Sequence, residues 1–214
     1  MDLWAIQVPL AVLLAAAATL GYLVGKWKRP APSDAAAHGR TDLLTGLSSR
    51  RGLDEAMARQ FALMHRYQSA FSVALFDIDH FERVNDERGR QYGDQVLCRV
   101  AQWLSRYVRD TDIVARSGGE EFAVIMPETD LEGACVLAER VRASLSEELS
   151  ITVSGGVSAA MDGDATESLM ARADAALCAA KAAGRNRVFC HDGERIEAVD
   201  DACVAIGHVV DSRQ

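Results

Sequence analysis

The stretch Asp110–Glu128, "DTDIVARSGGEEFAVIMPE", limits the possible folds more than any other part of the chain. "DIVAR" and "EFAVIMP" are short runs of strand-forming residues, and Ser117-Gly118-Gly119 lies between them. Two such runs around a glycine-containing connection predict a β-hairpin. Gly118 and Gly119 permit positive φ and let a ligand come close to the backbone. Glu120 and Glu121 leave the turn in succession, so on an extended strand they point to opposite faces.

Helix and strand signals alternate around this hairpin. Ser49 is placed to cap a helix whose apolar residues Leu53, Met57, Phe61 and Met64 recur at helical spacing. Val96, Val100, Leu104 and Tyr107 mark a second helix, and Leu131, Ala134, Leu137, Ala138 and Val141 a third. Leu169, Ala173, Leu177 and Ala180 mark a fourth, stopped by Gly184. "FSVALF", Phe71 to Phe76, reads as a buried strand, "ITVSGGVSA" as a strand broken by glycines, and "NRVFC" as a last strand. Helices interleaved with an antiparallel hairpin predict an α+β fold, an antiparallel-containing central sheet flanked by helices.

The N-terminus differs in kind. Residues 3–25, "LWAIQVPLAVLLAAAATLGYLVG", carry no charge, and at about 1.5 Å per residue they can cross a hydrocarbon core of ~30 Å. Lys26, Lys28 and Arg29 follow, whereas Asp2 precedes, so the positive-inside rule predicts one transmembrane helix with the rest in the cytoplasm. A cleaved signal peptide is the alternative; no basic residue precedes the apolar run, which favours a retained anchor in the inner (cytoplasmic) membrane. Ala17, Gly21 and Gly25 form a small-residue stripe that would permit close helix contact. Residues 26–40 read as a linker without heptads, 41–190 as the globular domain, and 191–214 as a tail with no assigned function. The five cysteines form no CxxC pair and read as reduced core thiols. A net charge of −8 argues against a nucleic-acid partner. It does not exclude a nucleotide, because bound metal reverses the local field.

Asp77 and Asp79 in "FDIDHF" form a second acidic cluster, at the end of the strand beginning at Phe71. Carboxylates from two neighbouring strand ends would repel one another and raise their pKa values. Two Mg2+ ions would relieve this and would also hold phosphates. For the glutamate pair alone, a solvated acidic turn is the competing reading.

At this point the residues match a known family: Asp42 to Val188 resembles a GGDEF domain, the diguanylate cyclase catalytic domain. "DLLTGLSSRR", "FDIDHFERVNDERGRQYGDQVL", "RSGGEEF" and "ADAALCAAKAAGRNRV" follow that family's motif order, the third with Glu where the family name has Asp. The resemblance implies a nucleotidyl-cyclase, palm-like fold and the condensation of two GTP into cyclic di-GMP with loss of pyrophosphate. It implies two Mg2+ per site, or Mn2+ in their place, held by Asp77, Glu120 and the Ile78 carbonyl. Glu120 would also activate the attacking hydroxyl, and Glu121 would support the metal site. Gly118 and Gly119 would lie against the phosphates, Asn85 and Asp94 would read guanine, and Lys181 and Arg185 would grip phosphate oxygens. Each domain would hold one GTP, so catalysis needs a homodimer.

Glu82 stands where the family usually has Lys, Arg90 where it has His, and Cys178 where it has Tyr. The last change reads as packing. Arg83 or Arg90 is available to replace the missing charge, and a Glu82–Arg90 ion pair would leave Arg83 for phosphate. Arg109 and Asp112 fit the family's RxxD inhibitory site for cyclic di-GMP, with Arg140 as a secondary contact. A different class of function also fits these departures: a membrane-tethered module that binds GTP or cyclic di-GMP without turnover.

Overall fold

In the computed structural model, which describes residues 39–199, Ser49 caps the first helix. Its hydroxyl accepts the Gly52 backbone N–H, and α1 runs Arg50–Tyr67. The chain continues as β1 (Phe71–Ile78), α2 (Phe81–Arg88), α3 (Arg90–Tyr107), β2 (Ile113–Arg116) and β3 (Glu121–Pro127). There follow α4 (Leu131–Leu149), β4 (Val153–Ala159), α5 (Thr166–Ala182), β5 (Val188–His191) and β6 (Ile196–Ala198).

The strands form one sheet in the order β2-β3-β1-β4-β5-β6. Every neighbouring pair is antiparallel except β4–β5. This is the predicted α+β class, with a mixed sheet. All eight residues of β1 are buried, because helices cover both faces. Ala74, Phe76, Ile78, Phe122, Val124 and Met126 pack with apolar residues of α3 and α4. Their neighbours Phe71, Val73, Leu75, Ala123 and Ile125 pack with α1 and α5. The period-2 alternation of a strand thus feeds two separate apolar layers.

Four predicted features are revised. The glycines of "ITVSGGVSA" do not break β4. A Cβ at Gly156 would collide with the backbone of Ala173 and Leu177, so this glycine lets α5 lie directly on the sheet. Helix α2 was not anticipated, and α3 begins at Arg90, six residues before the first apolar position that marked it. The segment after Cys190 opens with a strand, β6, paired to β5. Among the described cysteines only Cys135 is buried; Cys98 and Cys190 are half-buried and Cys178 is exposed, so packing does not explain Cys178.

The expected inner-membrane localisation is also corrected. Among the described residues, no helix is long and apolar enough to cross a membrane. The proposed span 3–25, its small-residue stripe and most of the linker lie outside the described residues.

Arg172 of α5 ties that helix to the end of β4. Its guanidinium donates to both carboxylate oxygens of Asp164, at 2.8 and 2.6 Å, and to the Ala159 carbonyl. The hydrogen bonds from Arg172 hold Asp164 at about 2, against the opposing effect of burial. Because the folded-state value lies below the usual one, this contribution is complete above the ordinary carboxylate pKa. It is lost as pH falls towards 2. Asp164→Asn should therefore flatten the fall in Tm between pH ~4 and ~2, read from thermal melts across that range. An acid limb as steep as the parent's would contradict it.

Candidate active site

The pairing of β1 with β3 sets Asp77 directly opposite Glu121, and the Ile78 N–H donates to the Glu120 carbonyl at 3.3 Å. The β2–β3 hairpin forms as the sequence predicts, with the Ser117 and Gly118 N–H groups both directed at the Glu121 carbonyl. Neither Gly118 nor Gly119 adopts positive φ, contrary to the expected reason for them. Gly118 instead lies against the Glu121 carboxylate, and the space beside Gly119 is open.

Strand alternation puts Asp77 and Glu121 on the face that α5 covers. Lys181 of α5 reaches Asp77 there, with Nζ 2.6 Å from Oδ2. Burial, and then the charges of Asp77 and Glu121, push the Glu120 carboxyl above its ordinary value, with Lys181 opposing. Asp77, Glu120 and Glu121 therefore share one electrostatic environment. All-oxygen donors whose mutual repulsion is incompletely relieved suit a hard divalent cation. Among the described residues, no group of three acidic, histidine or cysteine side chains is already closed into a metal centre. In this arrangement the Lys181 ammonium provides positive charge at Asp77.

Asp79 belongs to a different structure. It is buried, its Oδ1 accepts from Ser154 at 2.7 Å, and its Oδ2 accepts the Asn186 N–H at 3.0 Å. Both oxygens are used, so this carboxylate fastens β1 to β4 and to the loop after α5.

A cavity of about 490 Å3 opens beside the turn. Asn85 of α2, Asp94 and Arg90 of α3, Glu82, Gly119 and Glu120 line it. A Cβ at Gly93 would collide with the Asn85 carboxamide, so this glycine gives Asn85 room against α3 beside Asp94. Glu120 is the residue common to cavity and carboxylate group. Gly118, Ile78, Lys181, Arg83 and Arg185 are not among the cavity-lining residues.

The expected Glu82–Arg90 ion pair does not form. Arg83 pairs with Glu87 one turn on, at 3.3 Å, and both side chains are exposed. Arg185 follows α5 with φ of 63° and is exposed.

Sequence reading missed Arg116. Its guanidinium donates to the Gly119 carbonyl through Nε at 3.1 Å and Nη2 at 2.7 Å, and to both oxygens of Asp42. Burial raises the Asp42 carboxyl, but the Thr45 hydrogen bonds and Arg116 outweigh it and hold the group below its ordinary value. Asp42, in "DLLTGL", is thus locked to the glycine turn. The arginine's position beside the turn was a signal, but its partner lies 74 residues away.

Apart from the cavity, Arg109 and Asp112 close a tight loop before β2. The Arg109 N–H donates to Asp112 Oδ2 at 3.0 Å, and the Asp112 N–H donates to the Arg109 carbonyl. Asp112 Oδ1 is buried with no hydrogen-bond partner among the described residues. Burial pushes this carboxyl up, against the Arg109 hydrogen bond and charge. The Arg109 side chain is exposed, and Arg140 of α4 lies over the Tyr107 ring, 5.5 Å from its centroid.

Residues 40–187 match the family described as diguanylate cyclase, GGDEF domain. The diguanylate cyclase DgcP of Pseudomonas aeruginosa is 44% identical over 156 residues, which cover 69% of this chain and 23% of that protein. The response regulator PleD of Caulobacter vibrioides is 42% identical over 159 residues, 69% of this chain and 35% of that one. The chain therefore spans about a quarter to a third of the length of these relatives. Among solved structures, the GGDEF domain of DgcB from Caulobacter crescentus in complex with c-di-GMP superposes with a TM-score of 0.68 at 36% identity. That match covers 72% of this chain and 96% of the other. The active GGEEF domain of a diguanylate cyclase from Vibrio cholerae gives 0.63 at 36% identity, covering 67% and 96%.

The raised Glu120 value has a testable sign. A carboxyl whose folded-state pKa is raised stabilises below its unfolded value, and that benefit is lost as pH rises through the folded one. In metal-free protein, Glu120→Gln should raise Tm at pH 7–8 and lose that advantage near pH 4. A Tm lowered at both pH values would show that the carboxylates do not repel as described.

Proposed function

Because the chain belongs to the GGDEF family, we propose that it is a diguanylate cyclase condensing two GTP into cyclic di-GMP and two pyrophosphates. The observation that carries this reading is the position of Glu120, shared by the carboxylate group and the cavity that holds Asn85 and Asp94. Asp94 accepts from the N1 and N2 donors of guanine, and Asn85 completes the contact. ATP lacks those donors and would leave the aspartate unpaired. Asp77, Glu120 and the Ile78 carbonyl would hold Mg2+, or Mn2+ in its place, with Glu121 in support. The metal supplies charge neutralisation for the triphosphate.

The 3′-hydroxyl of one GTP attacks the α-phosphate of the other and expels pyrophosphate. Glu120 would activate that hydroxyl for attack. Gly119 leaves the turn open to the phosphates, Gly118 would lie beside them, and Lys181 and Arg185 would meet their oxygens. One domain offers one such site, so two copies must face each other, and positioning does most of the work. Chromatography of nucleotide products from GTP and Mg2+, at several protein concentrations, tests this. The parent should form cyclic di-GMP with a steeper than linear dependence on protein. Glu120→Gln should lose about two to three decades of turnover, the scale for one preorganised electrostatic contact. Equal turnover by parent and variant would sink the assignment.

Exposed Arg109, closed into one tight loop with Asp112, supports product inhibition. Asp112 would accept from the guanine donor edge of cyclic di-GMP, Arg109 would donate to the acceptor edge, and Arg140 would add a secondary contact. Arg109→Ala should weaken cyclic di-GMP binding about tenfold or more, the scale of a lost charged hydrogen bond. Calorimetry giving the parent's affinity would remove this site.

One observation favours a weaker enzyme: Glu82 lines the cavity, and no ion pair among the described residues includes it. Near a triphosphate its charge opposes substrate. Glu82→Lys should then lower the KM for GTP. A large loss of turnover in folded Glu82→Lys would show instead that the glutamate has a positive role.

A further inference from the structure

The loop after α5 is held in an unfavourable conformation by groups outside the site. Gly184, Arg185 and Asn186 have φ of 110°, 63° and 46° in succession. Two adjacent non-glycine residues in the left-handed region persist only where the surroundings determine them. Here the surroundings come from three other elements. Asp79, two residues beyond Asp77, accepts the Asn186 N–H at 3.0 Å, and its other oxygen is held by Ser154 of β4. Arg142 of α4 donates through Nη1 to the Asn186 side-chain oxygen at 2.9 Å. Arg142 is itself set by Glu139, which is buried and accepts from Nε at 2.8 Å on both carboxylate oxygens.

The Glu139–Arg142 pair satisfies itself through Nε and Nη2, so the contact to Asn186 is not needed to neutralise the buried carboxylate. Nor is it needed to dock α4, whose Ala134, Ala138, Val141 and Leu145 pack in the core. What the contact does is determine Asn186 from its side chain while Asp79 determines it from its backbone. Arg185, immediately before it, is thereby confined. The Arg185 N–H donates to the Ala180 carbonyl, and its own carbonyl accepts from Arg187 Nε at 2.9 Å. Its side chain is left exposed beside the helix that carries Lys181.

We propose that Asn186, held by Arg142 and Asp79, is a positioning residue that sets Arg185 for the substrate phosphates. This rests on the reading of Arg185 as a phosphate contact. Misplacing a charged group by a small distance lowers reactivity without unfolding the protein, so the effect belongs in kcat/KM and not in Tm.

Asn186→Gly keeps the backbone N–H for Asp79 and tolerates positive φ, and it removes only the Arg142 contact. It should lower kcat/KM for GTP about tenfold, with Tm near the parent's. Arg185→Ala should lower kcat/KM by about ten- to a hundredfold, the scale of a charge-assisted hydrogen bond. The double variant should be no worse than Arg185→Ala alone, because both changes act through one contact. Asn186→Asp still accepts from Arg142 and tolerates the left-handed region, so it should restore the activity that glycine loses. Additive losses in the double variant, or parent-like kcat/KM in Asn186→Gly when Arg185→Ala is impaired, overturn the inference and leave the phosphate reading standing. Parent-like kcat/KM in Arg185→Ala overturns both.

Discussion

The register between β1 and β3 is the constraint on which the site depends. It places Asp77 opposite Glu121 and joins Ile78 to Glu120 through the backbone. A slip of one residue would carry each strand's buried set to the other face. Helices cover both faces with different apolar sets, so no slipped register keeps either layer intact. The core thus holds together carboxylates that would separate if the strands were free. Repulsion retained in this way is a resource, since a divalent cation bound there removes it.

Around that pairing the structure adds fasteners from distant segments. Arg116 joins Asp42 to the Gly119 carbonyl, and Asp79 joins the end of β1 to Ser154 and Asn186. The backbone around the glycine turn and after α5 is therefore held by charged side chains from distant segments. Polar contacts of this kind add modest net stability, and their value here lies in geometry.

Much of this was legible in the sequence. Ser49 ahead of Leu53, Met57 and Phe61 announced a capped helix, and glycines between "DIVAR" and "EFAVIMP" announced the hairpin. Both signals are local, and local periodicity is what a single sequence displays. The rest was not legible because it depends on contacts between distant segments. Helix α2 is eight residues long with one buried residue, too short and polar to show a period. Gly156 looked like a strand breaker until the backbone of α5 was seen against it. The Arg83–Glu87 pair on α2 was not foreseen, because the helix that carries it showed no period. The polar fasteners span 74 to 107 residues of chain, and no spacing rule reaches so far.

The central claim is that Asp77, Glu120 and Glu121 form a repelling group that a divalent cation relieves. Calorimetric titration of Mg2+, or Mn2+ in its place, into nucleotide-free protein tests it directly. The titration should be run at pH 5 and pH 8 in buffers of different ionisation heat. Tighter binding at pH 8 is predicted, with protons released to the buffer on binding at pH 5, because the raised Glu120 carboxyl must lose its proton to ligate the metal. Affinity independent of pH, with no proton released at pH 5, would contradict it.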